Sequence, residues 1–122
     1  MKELWNKAKA CYQDFRLYQL ASYALNRTTP RKGYDVQHNL AYGLKARQRF
    51  DLYRSHQAHA QKPLVVFVHG GAWSTGDKKA YRFLGQALAT QGFDVVVMNY
   101  HLAPTHIFPS SVDDLYVLMQ YL

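Results

Sequence analysis

The run Leu64-Val65-Val66-Phe67-Val68, entered from Pro63 and left through Gly70-Gly71, constrains this chain more than any other stretch. Five consecutive apolar residues leave no polar face, which predicts a strand buried on both sides, the habit of a parallel sheet covered by helices. The two glycines lack a Cβ, so backbone N–H groups there can approach a ligand closely. Tyr81, Phe83, Leu84, Ala87 and Leu88 then mark a helix over Lys79 to Gln91, with Gly92 as its stop. Phe93 to Tyr100 is a second apolar run, containing Val95, Val96, Val97 and Met98. Strand, glycine loop, helix and strand together predict a right-handed crossover, a parallel pair and an anion-accepting pocket at the carboxyl edge of the sheet.

Upstream, residues 4 to 25 place Leu4, Ala8, Cys11, Tyr12, Phe15, Tyr18 and Leu25 on one face of an amphipathic helix. It packs on its own domain or, being basic and aromatic, lies on a membrane surface. Asn26 to Gly33 is a breaker cluster, and it sets the boundary between an N-terminal segment, 1–30, and the remainder, 31–122. Tyr34 to Tyr42 and Arg47 to Tyr53 read as an antiparallel pair of strands joined around Gly43. The alternation of Arg47, Arg49 and Asp51 with Phe50 and Leu52 suits a half-exposed sheet edge. Ser55 to Lys62 is a polar loop whose His56 and His59 read as solvated side chains, because two histidines without a further ligand make no metal site. Pro109 and Ser110 open a last helix to Leu122, with Asp113 and Asp114 near the positive end of its dipole.

Composition narrows the class. With 48% apolar and 15% aromatic residues the chain is globular, and no apolar run approaches the roughly 20 residues of a membrane span. Cys11 stands alone, so neither a disulfide framework nor a cysteine metal site is expected. No signal-peptide pattern is present, which places the expectation in the cytoplasm. The net charge of +7 is uneven: residues 1–27 carry five Lys/Arg against two acids, residues 28–62 seven against two, and residues 63–122 three against four. Scattered basic residues without a nucleic-acid motif do not make a nucleic-acid-binding protein.

Val68-His69-Gly70-Gly71-Ala72-Trp73, followed by Gly76-Asp77, resembles the His-Gly-Gly loop of α/β-hydrolase esterases of the carboxylesterase and hormone-sensitive-lipase-like branch. Asn99-Tyr100-His101-Leu102-Ala103-Pro104, then Phe108-Pro109 and Asp113-Asp114, resembles that branch's Tyr-Arg-Leu-Ala-Pro segment, with His101 where arginine is usual. Weaker similarity around Tyr42-Gly43 and Asp51-Leu52-Tyr53 extends the resemblance over residues 34 to 122. The fold it implies is the N-terminal half of an α/β-hydrolase sheet: two strands, then strand, helix, strand and helix with parallel pairing, behind an amphipathic helix. N-terminal helices of this branch often cover the active site. In the family's sheet order the Leu64 strand lies between the Phe93 strand and a strand bearing the nucleophile.

The resemblance also implies a chemistry. The oxyanion of a tetrahedral intermediate would be held by the N–H groups of Gly71 and Ala72, with His69, Gly70 and Trp73 shaping the loop. A glycine turn that merely joins strand to helix is the alternative. No G-x-S-x-G occurs, and the nearest approach is Ala72-Trp73-Ser74-Thr75-Gly76. Ser74 as nucleophile would need an acid and then a histidine after it, and Asp94 and His101 sit at opposite ends of one strand, about 23 Å apart at roughly 3.3 Å per residue. Asp113 and Asp114 have no histidine after them. The expectation is therefore the front of a serine carboxylic-ester hydrolase, carrying an oxyanion loop and none of the triad. Such a chain needs no metal or organic cofactor, takes a small-molecule ester only as part of the complete enzyme, and is inactive alone. A serine elbow is then expected within about 15–40 codons downstream. An assembly module, self-associating through an open strand edge and the basic helix, is the other reading.

Overall fold

A computed structural model of the chain describes residues 1–3, 6, 20–28, 31–57 and 63–122. Helical residues 20–28 (α1) precede strands β1 (Tyr34–Ala41), β2 (Arg49–Ser55) and β3 (Leu64–Val68). A 3-10 turn (Lys78–Tyr81) then leads into helix α2 (Arg82–Thr90), strand β4 (Asp94–Met98) and helix α3 (Ser110–Tyr121). The sheet order is β1-β2-β4-β3. Both pairs involving β2 are antiparallel, whereas β3 and β4 are parallel, in register from Leu64 opposite Asp94 to Val68 opposite Met98. The predicted parallel pair and antiparallel pair are both present.

The alternation along β4 shows why its sequence is apolar throughout. Val95 and Val97 face a cluster with Tyr34, Tyr53, Tyr81 and Ala89, on the α2 side of the sheet. Val96 and Met98 face Tyr42, Phe50, Tyr100 and Leu118, on the α3 side. With a helix on each face, β4 has no polar side to present, and these four residues are wholly inaccessible.

Full burial was expected of β3, and this is corrected: β3 is hydrogen-bonded on one side only, and its end residues Leu64 and Val68 are 47% and 42% exposed. The half-exposed edge expected around Asp51 is likewise corrected, because β1 covers β2 and Asp51 is completely buried. Asp51 Oδ1 accepts from Lys78 Nζ at 2.7 Å and from the Asn39 N–H at 2.9 Å, at an irregularity in β1 where Asn39 has φ +56°. The Lys78 ammonium is almost as deeply buried as its partner.

The helix expected from Lys79 is divided into a 3-10 turn and α2. Asp77 accepts from the Lys79 N–H at 2.9 Å and caps the turn, while Lys78 is drawn inward by Asp51. Asn26, from α1, accepts from the Phe83 N–H at 2.7 Å and donates to the Lys79 carbonyl at 2.9 Å, so a distant side chain caps α2. At the other end Gly92 (φ +99°) donates to Ala89 and Phe93 to Leu88, the paired bonds of a Schellman stop.

Of the expected 4–25 helix, residues 6 and 20–25 are helical and the others lie outside the described residues, as do the rest of its apolar face and His59. Leu25, expected on the packed face, is 48% exposed, and the buried residue of α1 is Ser22. His56 is half exposed with Nε2 3.0 Å from Asp35. Among the described residues no helix is long and apolar enough to cross a membrane, and no group of three or more His, Cys, Asp or Glu could hold a metal ion.

Candidate active site

The carboxyl end of β3 delivers the chain into residues 69–77. His69 is buried, its ring stacked 4.5 Å from Tyr100 and 5.8 Å from Tyr81. Its Nδ1 lies 2.8 Å from the Gly70 carbonyl, the distance of a donated N–H bond, which assigns the proton to Nδ1. Burial pushes the imidazole below its ordinary value and the Arg47 charge adds to this, outweighing the Gly70 carbonyl and Asp77, so the ring is neutral. The Tyr100 hydroxyl, held protonated by burial, donates to the His69 carbonyl at 2.7 Å. His69 is thus a fixed wall of the loop.

Beyond it the backbone turns left-handed over three residues, Gly71 (φ +126°), Ala72 (φ +52°) and Trp73 (φ +58°). The Gly71 carbonyl gathers the Ser74 and Thr75 N–H groups at 3.1 Å each and the Thr75 hydroxyl at 2.9 Å, which closes the turn. A Cβ on Gly71 would collide with the Thr75 carbonyl, so the turn requires glycine there. Gly70 has open space where a Cβ would stand and does not share that requirement. Among the described residues no hydrogen bond takes up the Gly71 or Ala72 N–H. Two adjoining cavities, about 450 Å³ and about 340 Å³, share Ala72, Trp73 and Ser111 as lining. The larger also meets His69, Gly70 and the α3 residues Val112 and Leu115. Trp73 is 67% exposed on their rim.

Ser74 is not assembled with a base. Its hydroxyl is exposed and donates at 3.3 Å to the Gly71 carbonyl of its own turn. Asp94 is at the far end of β4 from His101, accepting from the Ser55 N–H at 2.9 Å. His101 instead turns to an acid later in the chain. Asp114 Oδ2 accepts from the His101 N–H at 2.7 Å and lies 2.6 Å from His101 Nδ1, while Oδ1 accepts from Gln48 at 3.1 Å. The role expected for Asp114 in the helix dipole is thereby corrected: it is buried and anchors the segment around His101.

The sequence names Asn99 and Asp77 only as motif positions and Arg47 only as one polar position of a strand, and their part in joining the two motifs is not legible there. Arg47 donates from Nε to the Tyr100 carbonyl at 2.6 Å and from Nη2 to the Gly76 carbonyl at 3.0 Å, tying one motif to the other. Asn99 accepts from the Lys78 N–H at 2.8 Å and donates to Asp77 at 3.1 Å. Burial would raise the Asp77 carboxyl, but the Lys79 N–H, Asn99 and the Lys78 and Arg47 charges prevail and hold it below its usual value. The Ala103 N–H donates to the Trp73 carbonyl at 2.7 Å and completes the seam. The legible signal is an arginine just before a strand that alternates charged and apolar residues, and nothing local distinguishes it from a solvated one.

Comparisons with known proteins give the fold and the family. The BD-FAE family model matches residues 50–122, more than half of the chain. Kynurenine formamidase of Drosophila melanogaster is 40% identical over 76 residues, which are 62% of this chain and 25% of that protein. An isoprenylcysteine alpha-carbonyl methylesterase of Arabidopsis thaliana is 37% identical over 79 residues, 65% of this chain and 18% of that one. Esterase B of Lactobacillus rhamnosis, in an inhibited form, superposes with a TM-score of 0.80 at 26% identity over 98% of this chain and 39% of its own. The chain therefore spans a quarter or less of these two curated relatives and about two fifths of the solved structure. A mixed sheet continuing from a parallel β3–β4 pair, a left-handed turn after β3 and a family match across both motifs make this chain a member of the BD-FAE family, on the carboxylesterase and hormone-sensitive-lipase-like side of the α/β-hydrolases.

Proposed function

We propose that this chain supplies the oxyanion-holding part of a serine carboxylic-ester hydrolase. The observation that carries the reading is the turn at Gly71 and Ala72, whose N–H groups are taken up by no described residue and whose turn lines the cavities beside Trp73. In the complete enzyme a serine hydroxyl attacks the ester carbonyl, and the oxygen that becomes negative lies against these two N–H groups. The alcohol leaves, and water releases the acyl group from the serine. His69, Gly70 and Trp73 hold the loop in shape, and no metal or organic cofactor enters the reaction. Ser74 is left out of it, because among the described residues its exposed hydroxyl meets no histidine or carboxylate, only the Gly71 carbonyl at 3.3 Å. The chain alone is therefore inactive, with residues 1–30 as an N-terminal segment and 31–122 as the hydrolase unit, to which Asn26 fastens the segment by capping α2. A cytoplasmic location goes with this reading.

A loop exchange tests it. Residues 69–77 placed in Esterase B in place of its corresponding loop should leave kcat within about tenfold. An ester bond in place of the Gly71–Ala72 amide, which deletes one donor and keeps the side chain, should then cost about 10²–10³ in kcat. An exchanged enzyme that is folded but inert, or one indifferent to loss of the donor, would overturn the assignment. On the isolated chain, saturable hydrolysis of an activated aryl ester that vanishes in Ser74→Ala would restore Ser74 as the nucleophile.

The exposed ends of β3 support a second reading, a non-catalytic assembly module in which the open edge of β3 pairs with another chain. Inertness of the exchanged loop together with concentration-dependent association would favour it.

A further inference from the structure

A cavity of about 740 Å³ lies away from the loop, between α1, β1, β2 and the start of α2. It gathers Arg27, Arg31, Lys79 and Arg82 against one carboxylate, Asp35. That carboxylate is already engaged, 3.0 Å from His56 Nε2, and the other ion pairs of the described residues join Lys78 to Asp51, Arg47 to Asp77, His38 to Asp51 and His101 to Asp114. The excess positive charge of residues 1–62 thus converges in part on one concave surface.

Two atoms deepen the case. Tyr53 is 1% exposed and lines the cavity, and its hydroxyl has no hydrogen-bond partner among the described residues. Arg82 Nε, on the same lining, is buried and without an acceptor among the described residues, as the Gln86 carbonyl oxygen there is without a donor. Leaving a buried donor unsatisfied costs about 1–3 kcal/mol, more for a charged group, so these two donors lack what an oxygen-rich anion would supply, and Gln86 Oε1 lacks what a hydroxyl of its organic group would supply. A guanidinium fork suits phosphate, and four cations against one engaged carboxylate suit a dianion better than a single carboxylate. The volume exceeds what a bare phosphate fills, which leaves room for an organic group.

We propose that this cavity is a binding site for a small phosphate monoester, with Arg82 and the Tyr53 hydroxyl at its floor and Arg27, Arg31 and Lys79 at its rim. It is built on the α2 face of the sheet and does not depend on the ester chemistry of the loop.

Calorimetric titration of the intact chain with glycerol 3-phosphate tests this, with glycerol, inorganic phosphate and sodium chloride of matched ionic strength as parallel arms. The expected result is one saturable site for glycerol 3-phosphate, weaker binding of phosphate, and no saturable heat with glycerol or chloride. Tyr53→Phe should weaken binding about tenfold or more, as loss of a hydrogen bond to a charged group does. Arg27→Gln, on the exposed rim, should weaken binding without altering the thermal transition of the unliganded chain, and so serves where an Arg82→Gln chain does not fold. Absence of saturable heat with glycerol 3-phosphate, equal affinity for inorganic phosphate, or affinity unchanged in both Arg27→Gln and Tyr53→Phe would overturn the proposal.

Discussion

Asp114 meets His101 twice through a single oxygen, Oδ2 lying 2.7 Å from the His101 backbone nitrogen and 2.6 Å from its Nδ1. The other oxygen accepts from Gln48, so one buried carboxylate on α3 fixes both the segment after β4 and the approach to β2. His101 thus fastens this segment to α3 through both its backbone and its ring.

Asp114→Ala should therefore be among the most destabilising single changes in α3. It strands three donors in a buried place, and breaking a buried pair typically costs about 3–5 kcal/mol. Urea unfolding should show the loss, and Asp113→Ala, next to it but exposed, should stay within about 0.5 kcal/mol of the parent. Equal effects at the two positions would mean that α3 docks by its apolar side chains alone.

Arg47 is the second fastening. Its two bonds run to the carbonyls of Tyr100 and Gly76, one in each motif. Hydrogen bonds to a charged group are worth about 1.5–3 kcal/mol. Arg47→Met, which keeps most of the apolar stem, should raise amide exchange across residues 70–77 and 101–106 while leaving β4 protected. Uniform acceleration throughout the chain would show instead that Arg47 stabilises only the global fold.

The sequence made the frame legible because apolar runs and breakers report it locally. Val95 to Met98 are apolar at every position, and both faces of β4 are covered. Gly92 ends α2 where a left-handed residue was needed. What was not legible depends on partners far apart in the chain. Asp51 reads as a strand's outward face until Lys78, 27 positions later, is brought to it. Arg47 reads as one polar position of a strand and Asp114 as a dipole partner for the same reason, since their bonding partners lie far away in the chain. The turn after β3 was expected from its glycines, yet its left-handed backbone continues through Ala72 and Trp73, whose residue types give no such signal.

His69 gives the chain a pH dependence whose sign follows from its burial. Its folded-state value is lowered beneath the ordinary 6.5. Between the two values the unfolded chain binds more protons than the folded one, so stability rises with pH in that window. The contribution is complete above about pH 6.5 and is lost as the pH falls below it toward the folded value. Asp77, lowered from 3.8, acts in a separate window, its contribution being lost below about pH 4. Thermal transitions of the parent and His69→Phe at intervals from pH 7.5 to 5 should converge as the pH falls. A constant difference would show that His69 does not titrate differently in the two states.

The open side of β3 carries the last prediction. Leu64 and Val68 are 47% and 42% exposed at the end of a sheet whose inner strands are covered, and the nearby face of α3 exposes Val112, Tyr116 and Met119. An unpaired strand invites pairing with another chain, and edge lysines are a common means of discouraging it. If the edge is the adhesive surface, the parent should associate at tens of micromolar. A Leu64→Lys/Val68→Lys chain should sediment as a monomer with its thermal transition within a few degrees of the parent's. If the helix face is the adhesive surface, the lysines should leave association unchanged, and Val112→Lys/Met119→Lys should abolish it. Sedimentation velocity of the three chains at matched concentrations separates these outcomes, because both pairs of substitutions fall on exposed side chains and neither removes a hydrogen bond of the sheet. A monomeric parent would show that the edge of β3 is protected without a partner.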